Sequence, residues 1–167
     1  MRSILCITLL SMFFLNCQSN TNKKENMDHQ KLNCLFCQIA KGEEASFIIA
    51  ENKGAIAILD KFSESDGHTL LITKKHFPYI AKIDEESWKH LLPLMKEVIK
   101  KLKTTLRPEG FNIISNMNED IEKKIAYQSI PHLHIHIIPK YKKDEGFIWT
   151  TKPKLKYSLE QIAEKLK

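Results

Sequence analysis

The stretch His132-Leu133-His134-Ile135-His136-Ile137-Ile138-Pro139 alternates imidazoles with aliphatic side chains over its first six positions. Successive side chains of a β-strand point to opposite faces, so a period of two places His132, His134 and His136 on one side. Leu133, Ile135 and Ile137 then face the other side, where they enter a core. Three titratable rings in a row on a packed strand mark a site. Two chemistries fit the spacing. Alternating histidines can share one Zn²⁺ in a tetrahedral centre. Alternatively, one imidazole is a nucleophile while its neighbours position a phosphate and tune its protonation. Spacing alone does not choose between them.

The chain around this stretch reads as one mixed domain. Phe47 to Glu51 and Ala55 to Leu59 are strand-like and separated by the turn signal Asn52-Lys53-Gly54. Ser65-Asp66-Gly67 makes a second turn before a third strand, His68 to Thr73. Asp84 caps a long helix with Glu85 and Glu86 in its first turn. Its apolar face is Trp88, Leu91, Leu92, Met95, Val98, Ile99, Leu102 and Leu106, and Pro93 is expected to kink it or to mark the end of its first turn. Arg107-Pro108-Glu109-Gly110 ends it. Phe111 to Ser115 gives a fourth strand and Ile130 to Pro139 a fifth. Ser158 opens a last helix, with Gln161 placed for a capping box and Leu159, Ile162, Ala163 and Leu166 on its buried side. Strands joined by short turns, with one long helix between them, predict an α+β domain on an antiparallel sheet of about five strands.

With 167 residues, 43% of them hydrophobic, the chain suits a single domain with a real core. The net charge of +6 comes from 26 Lys and Arg against 20 Asp and Glu. These lysines are spread along the chain, which points away from a nucleic-acid polymer and suits small phosphate-bearing substrates. The N-terminus differs in kind. MRSILCITLLSMFFLNC carries Arg2, an apolar run from Ile4 to Leu15, and then Cys17. Residues 1–17 read as a signal peptide of the lipoprotein type, with Cys17 the lipid acceptor, and 18–31 as a polar tether. An exported, membrane-anchored lipoprotein is therefore expected. The competing reading starts translation at Met27 and gives a cytoplasmic protein.

His132-Leu133-His134-Ile135-His136-Ile137-Ile138 resembles the motif of the histidine triad (HIT) superfamily. Other blocks resemble the family in the same order: Cys34-Leu35-Phe36-Cys37-Gln38-Ile39, Ile58-Leu59-Asp60, Gly67-His68-Thr69-Leu70, Lys74-Lys75-His76, Gln128-Ser129, then Pro139, Tyr141 and Gly146-Phe147. The resemblance spans roughly residues 32 to 167. It implies a HIT-like domain that hydrolyses a nucleoside monophosphate conjugate, or transfers its nucleotidyl group, through a covalent nucleotidyl-His134. It implies that His136, Asn116 and the Gln128 region hold the phosphate, that Ser129 lies near the leaving group, and that His68 supports the triad. Asp60 would accept the ribose hydroxyls, and Phe36, Ile39 and Ile58 line a base pocket or simply pack in the core. In zinc-containing relatives the residues matching Cys34, Cys37, His76 and His132 form a closed structural Zn site; in an oxidising compartment a Cys34–Cys37 disulfide is the rival. A purine nucleotide substrate and a homodimer are implied as well. A binding module with little turnover and a catalytic zinc hydrolase using all three histidines remain as alternatives. One departure stands out: the segment from Asn118 to Tyr127 has no glycine, and Tyr127 occupies a position where relatives carry one.

Overall fold

A computed structural model describes residues 33–123, 125–143, 146, 148 and 156–167. The expected signal (1–17) and tether (18–31) lie outside the described residues, as does Phe147. In chain order the elements are α1 (Leu35–Lys41), β1 (Ile48–Glu51), β2 (Ala55–Leu59), β3 (Thr69–Thr73), a 3₁₀ turn (Ile80–Lys82), α2 (Glu85–Leu106), β4 (Gly110–Ile114), β5 (His134–Lys140) and α3 (Leu159–Lys165). The strands form one sheet in the order β1-β2-β3-β5-β4, every neighbouring pair antiparallel. The α+β class expected from the pattern is the class observed.

Strand β3 occupies the centre of that sheet, and all five of its residues are buried. Both sheet faces must therefore be covered, and two different helices cover them. Long helix α2 lays Leu91, Leu94, Val98 and Leu102 against Ala55, Ala57, Leu71, Ile135 and Ile137. Short helix α1 lays Phe36, Cys37 and Ile39 against Ile56, Ile58, Leu70 and Ile72. The register pairs Ile72 with His134 and Leu70 with His136, so both imidazoles stand on the α1 face. Each fully buried aliphatic side chain on the opposite face contributes about 1.5–3 kcal/mol.

Local chemistry explains the element boundaries. Asn52 Oδ1 accepts the Gly54 and Ala55 N–H groups at 3.0 and 2.9 Å, which closes the β1–β2 hairpin. Its Nδ2 donates to the His90 carbonyl at 2.8 Å and ties that hairpin to α2. Asp84 caps α2 by accepting the Ser87 N–H at 2.7 Å. Lys75 beside it, then that N–H bond, hold the Asp84 carboxyl down to about 2. Gly67 sits at φ +81, where a Cβ would come within 2.6 Å of Leu106. Only glycine fits there.

Four expectations need correction. Strand β5 starts at His134, not Ile130, because the chain still turns there: the His132 N–H bonds the Ile130 carbonyl at 2.8 Å. Pro93 lies inside helix α2, beyond its first turn, and does not mark that turn's end. Its buried stripe is Ser87, Leu91, Leu94, Val98 and Leu102, while Trp88, Leu92 and Leu106 are exposed. The apolar residues of α2 cover a wider arc than one sheet face can bury, so the packing selects among them. Helix α3 has its Ser158–Gln161 capping box but no buried residue. Capping fixes a helix end locally and says nothing about what the helix packs on.

Candidate functional site

Each ring of the histidine stretch has a different set of partners. His132 lies just before β5, and its Nδ1 is 3.3 Å from Cys34 Sγ and 3.5 Å from Cys37 Sγ. Cys37 Sγ is in turn 3.4 Å from His76 Nδ1. One ligand atom from each of these four residues falls within 4.8 Å of the others. Zinc bonds of about 2.3 Å to sulfur and 2.0–2.1 Å to nitrogen, at tetrahedral angles, put S and N about 3.6 Å apart. The observed separations match. His132 Nε2 is 2.8 Å from the Thr73 carbonyl and must carry the proton, which leaves the Nδ1 lone pair for a metal. Cys34 and Cys37 form no disulfide. Helix α1 brings the two thiols together, because positions three apart share one helical face.

The ring of His134 turns elsewhere. Its Nδ1 donates to the His132 carbonyl at 2.7 Å, so Nε2 carries a lone pair. Phe36 meets this ring edge-on at 5.2 Å between centroids and meets that of His132 at 5.9 Å. Ser115, just after β4, donates its hydroxyl to the His134 carbonyl at 3.1 Å. Burial is the main influence on His134 and lowers its pKa. The ring is neutral near pH 7, as a nucleophile must be.

His136 is set by a chain of donors. The Glu64 backbone N–H bonds His68 Nδ1 at 3.1 Å, so the His68 proton is on Nε2. That Nε2 is 3.0 Å from His136 Nδ1, which must accept. The His136 proton therefore sits on Nε2, as a donor. Burial pushes His136 down to about 4, and it also lowers His68 against the pull of Asp60 and Glu64. Asp60 Oδ2 stands 3.5 Å from His68 Nε2 and 4.0 Å from His136 Nδ1. These three residues also have metal-like spacing. Their protonation decides against a metal, since the Glu64 N–H forces the proton onto the one His68 nitrogen that faces the group. The three alternating histidines thus do not converge on a single ion.

The remaining expected residues divide into two sets. Phe36, Ile39 and Ile58 are only 4%, 6% and 4% exposed and pack in the α1-side core. The Gln128 side chain is buried and fully engaged: Oε1 accepts the Asn118 N–H at 2.9 Å, and Nε2 donates to the Pro78 and Ile130 carbonyls at 2.6 and 3.1 Å. Asn116 is half-buried just beyond β4, and Ser129 is exposed beside Gln128. Asn118 was not anticipated. It donates to the Gln128 carbonyl at 3.3 Å and accepts the Ala126 N–H at 2.8 Å, closing the glycine-free segment on itself. No motif announces it, because it is one polar residue in a polar stretch. Tyr127 adopts φ +58, the left-handed conformation a glycine would take without strain.

The HIT domain family model matches residues 41–143. An uncharacterized HIT-like protein of Mycoplasma genitalium is 42% identical over 77% of this chain and 87% of its own length. The adenosine 5'-monophosphoramidase hnt1 of Schizosaccharomyces pombe is 34% identical, with 81% of this chain matching 100% of that protein. A zinc-bound histidine triad family protein from Mycobacterium smegmatis superposes with a TM-score of 0.62 at 26% identity, over 73% of this chain and 86% of that one. These relatives overturn the expected exported, membrane-anchored lipoprotein. The whole fission-yeast protein is accounted for by four-fifths of this chain. No helix among the described residues is long and apolar enough to cross a membrane. The signal had rested on a short apolar run, with Asn16 where a smaller residue normally precedes the lipid-bearing cysteine. The match over 41–143 and the shared fold carry one conclusion: the chain belongs to the HIT domain family.

Proposed function

We propose that the chain cleaves nucleoside monophosphate conjugates, phosphoramidates or dinucleoside polyphosphates, through a covalent nucleotidyl-His134. The Nε2 lone pair of His134 attacks the α-phosphorus; the bond from phosphorus to the leaving nitrogen or oxygen breaks, and the leaving group departs with a proton taken from solvent water. Water, or another acceptor, then attacks the same phosphorus and frees His134. His136 Nε2–H bonds a phosphate oxygen as its charge grows. Asn116 and Ser129 flank the phosphate and the leaving group, while Gln128 positions that segment. Asp60 accepts the ribose hydroxyls. One observation carries this reading: the His134 Nδ1–H bond to the His132 carbonyl at 2.7 Å, which keeps the proton of the neutral ring on Nδ1 and its lone pair on Nε2.

The catalytic unit runs over residues 32–167 and works as a homodimer on purine nucleotide conjugates. Cys34, Cys37, His76 and His132 hold a structural zinc, which supplies cross-linking of α1 to the β5 lead-in and no chemistry at phosphorus. The test follows AMP release from adenosine phosphoramidate by the full chain, with His134→Ala beside it. Turnover should fall on the order of 10³-fold or more in the variant. An unchanged rate refutes His134 as the nucleophile. A folded parent that binds AMP without turning over conjugates points instead to a nucleotide-binding module.

A further inference from the structure

Three links run from the Cys34 and Cys37 pair to the catalytic strand. Both sulfurs approach one atom, His132 Nδ1, at 3.3 and 3.5 Å, and the carbonyl of that same residue accepts the His134 Nδ1–H at 2.7 Å. Between the two cysteines stands Phe36, whose ring meets those of His132 and His134 at 5.9 and 5.2 Å between centroids. Cys37 Sγ is also 3.4 Å from His76 Nδ1. The carbonyls of the next two residues, Phe77 and Pro78, accept the Leu133 N–H at 2.5 Å and Gln128 Nε2–H at 2.6 Å. Cys34, Phe36 and Cys37 are buried in one cluster with Leu70 and Ile72. A change in the spacing of the two sulfurs is therefore passed to packed neighbours instead of being absorbed by solvent.

That spacing has two chemical settings. As a dithiol the pair holds its sulfurs within 4.8 Å of each other, and a disulfide draws them to about 2 Å. The contraction falls on residues 34–37 and so on Phe36 and His132, the two residues that touch His134. We infer that Cys34 and Cys37 form a redox switch on His134, resting this on its proposed role as nucleophile: the dithiol leaves the ring in its reactive pose and the disulfide displaces it. The oxidant is hydrogen peroxide. One thiolate attacks a peroxide oxygen, the O–O bond breaks, and hydroxide leaves. The second thiolate attacks the resulting sulfenic sulfur, forms the S–S bond and expels a second hydroxide. Two protons from solvent convert these to water, two electrons pass from sulfur to peroxide, and any zinc held by the thiolates is released as Zn²⁺ with its charge unchanged. A dithiol reductant reverses the step. Removing zinc alone leaves the dithiol in place, so oxidation and not metal loss sets the switch.

The test treats the full chain with hydrogen peroxide. Zinc release is followed with a colorimetric chelator, and disulfide formation by alkylation of the tryptic peptide 32–41, which carries these two cysteines and no other. The His134 imidazole resonances, assigned against His134→Ala, and AMP release from adenosine phosphoramidate complete the readings. Oxidation should free zinc in step with the disulfide in 32–41, shift the His134 resonances and lower turnover roughly 10- to 100-fold, by analogy with the loss of partners that orient a histidine. Dithiothreitol with zinc should restore all of them. Reduced protein stripped by a chelator should keep its rate, and Cys34→Ser should lose nothing to peroxide against its own untreated rate. A disulfide in 32–41 with turnover within twofold overturns the switch. So does a peptide 32–41 that stays reduced, or a Cys34→Ser variant that peroxide inactivates like the parent. Should the parent not turn over at all, the resonances decide: a shift on oxidation upholds the link to His134 while the hydrolase reading falls, and unmoved resonances overturn the switch as well.

Discussion

Replacing His68 tests the donor chain that sets His136. His68 is 2% exposed and makes two bonds that matter: it accepts the Glu64 N–H at 3.1 Å and faces His136 Nδ1 at 3.0 Å. His68→Ala removes both. Glu64 is exposed, so water can reach its N–H, and the two lost bonds are worth about 0.5–1.5 kcal/mol each. Stability should therefore fall by about 1–3 kcal/mol, before any cavity cost. The effect on catalysis is separate: His136 loses the donor that keeps its proton on Nε2, and a ring with its proton on Nδ1 cannot donate to phosphate. Loss of such an orienting partner is expected to lower kcat/KM about 10- to 100-fold, by analogy with partners that orient metal-binding histidines. His68→Gln discriminates, because its carbonyl can accept from Glu64 and its amide can donate to His136. It should recover most of the rate and the melting temperature. Thermal melts and steady-state kinetics on an AMP phosphoramidate measure both quantities. An Ala variant within twofold of the parent, or a Gln variant as impaired as Ala, refutes a role in fixing the His136 proton.

Tyr127→Gly relieves a left-handed backbone at a residue 87% exposed, so little packing is lost. The relief of about 1–2 kcal/mol, less about 0.5–1 kcal/mol for the added freedom of glycine in the unfolded chain, predicts a net gain of up to about 1.5 kcal/mol. A drop in melting temperature in calorimetry would contradict it. Metal analysis should find one zinc per chain. Stripping it should lower the melting temperature by about 10 °C, since a thousandfold excess over Kd stabilises by about 4 kcal/mol. Turnover below both melting transitions should survive the chelator, and its abolition would make the metal catalytic. Finally, kcat/KM should stay flat from pH 8 to below 6.5, because burial lowers His134 and holds His136 at about 4. The same depression means that the unfolded chain takes up protons first as pH falls. Stability present above pH 6.5 is then lost between 6.5 and about 4. An inflection at or above pH 6.5 would show that the rings titrate as if exposed.

The parts of this molecule that could be read in advance are those written in periodicity and turn chemistry. Strands β1, β2 and β4 fall within a residue or two of their expected limits because Asn52-Lys53-Gly54 and Arg107-Pro108-Glu109-Gly110 punctuate them. Helix α1 was passed over: seven residues show barely two turns of period, and its purpose is tertiary, to cover one sheet face and present two thiols. The burial of Leu94 in place of Leu92 was equally hidden, since the apolar arc of α2 is ambiguous until a sheet lies under it. Site residues such as Asp60 and His76 were named through family resemblance. Their hydrogen-bond partners were not, because a backbone donor such as the Glu64 N–H leaves no trace in residue type.

That last gap bears on the histidines themselves. Equal spacing suggested equal roles, yet the three rings have three different neighbours. A cysteine pair faces His132 Nδ1, a carbonyl faces His134 Nδ1, and the Nε2–H of a neutral imidazole faces His136 Nδ1. An imidazole with one nitrogen committed has the other determined, so each neighbour dictates what its ring presents: a lone pair toward the cysteines, a lone pair at His134 Nε2, a proton at His136 Nε2. His132 couples two of these assignments. Its ring joins the metal group while its carbonyl accepts from His134, so displacing His132 disturbs the nucleophile without touching it. The alternation of the sequence supplies the common direction, and the chemistry comes from what stands opposite each ring.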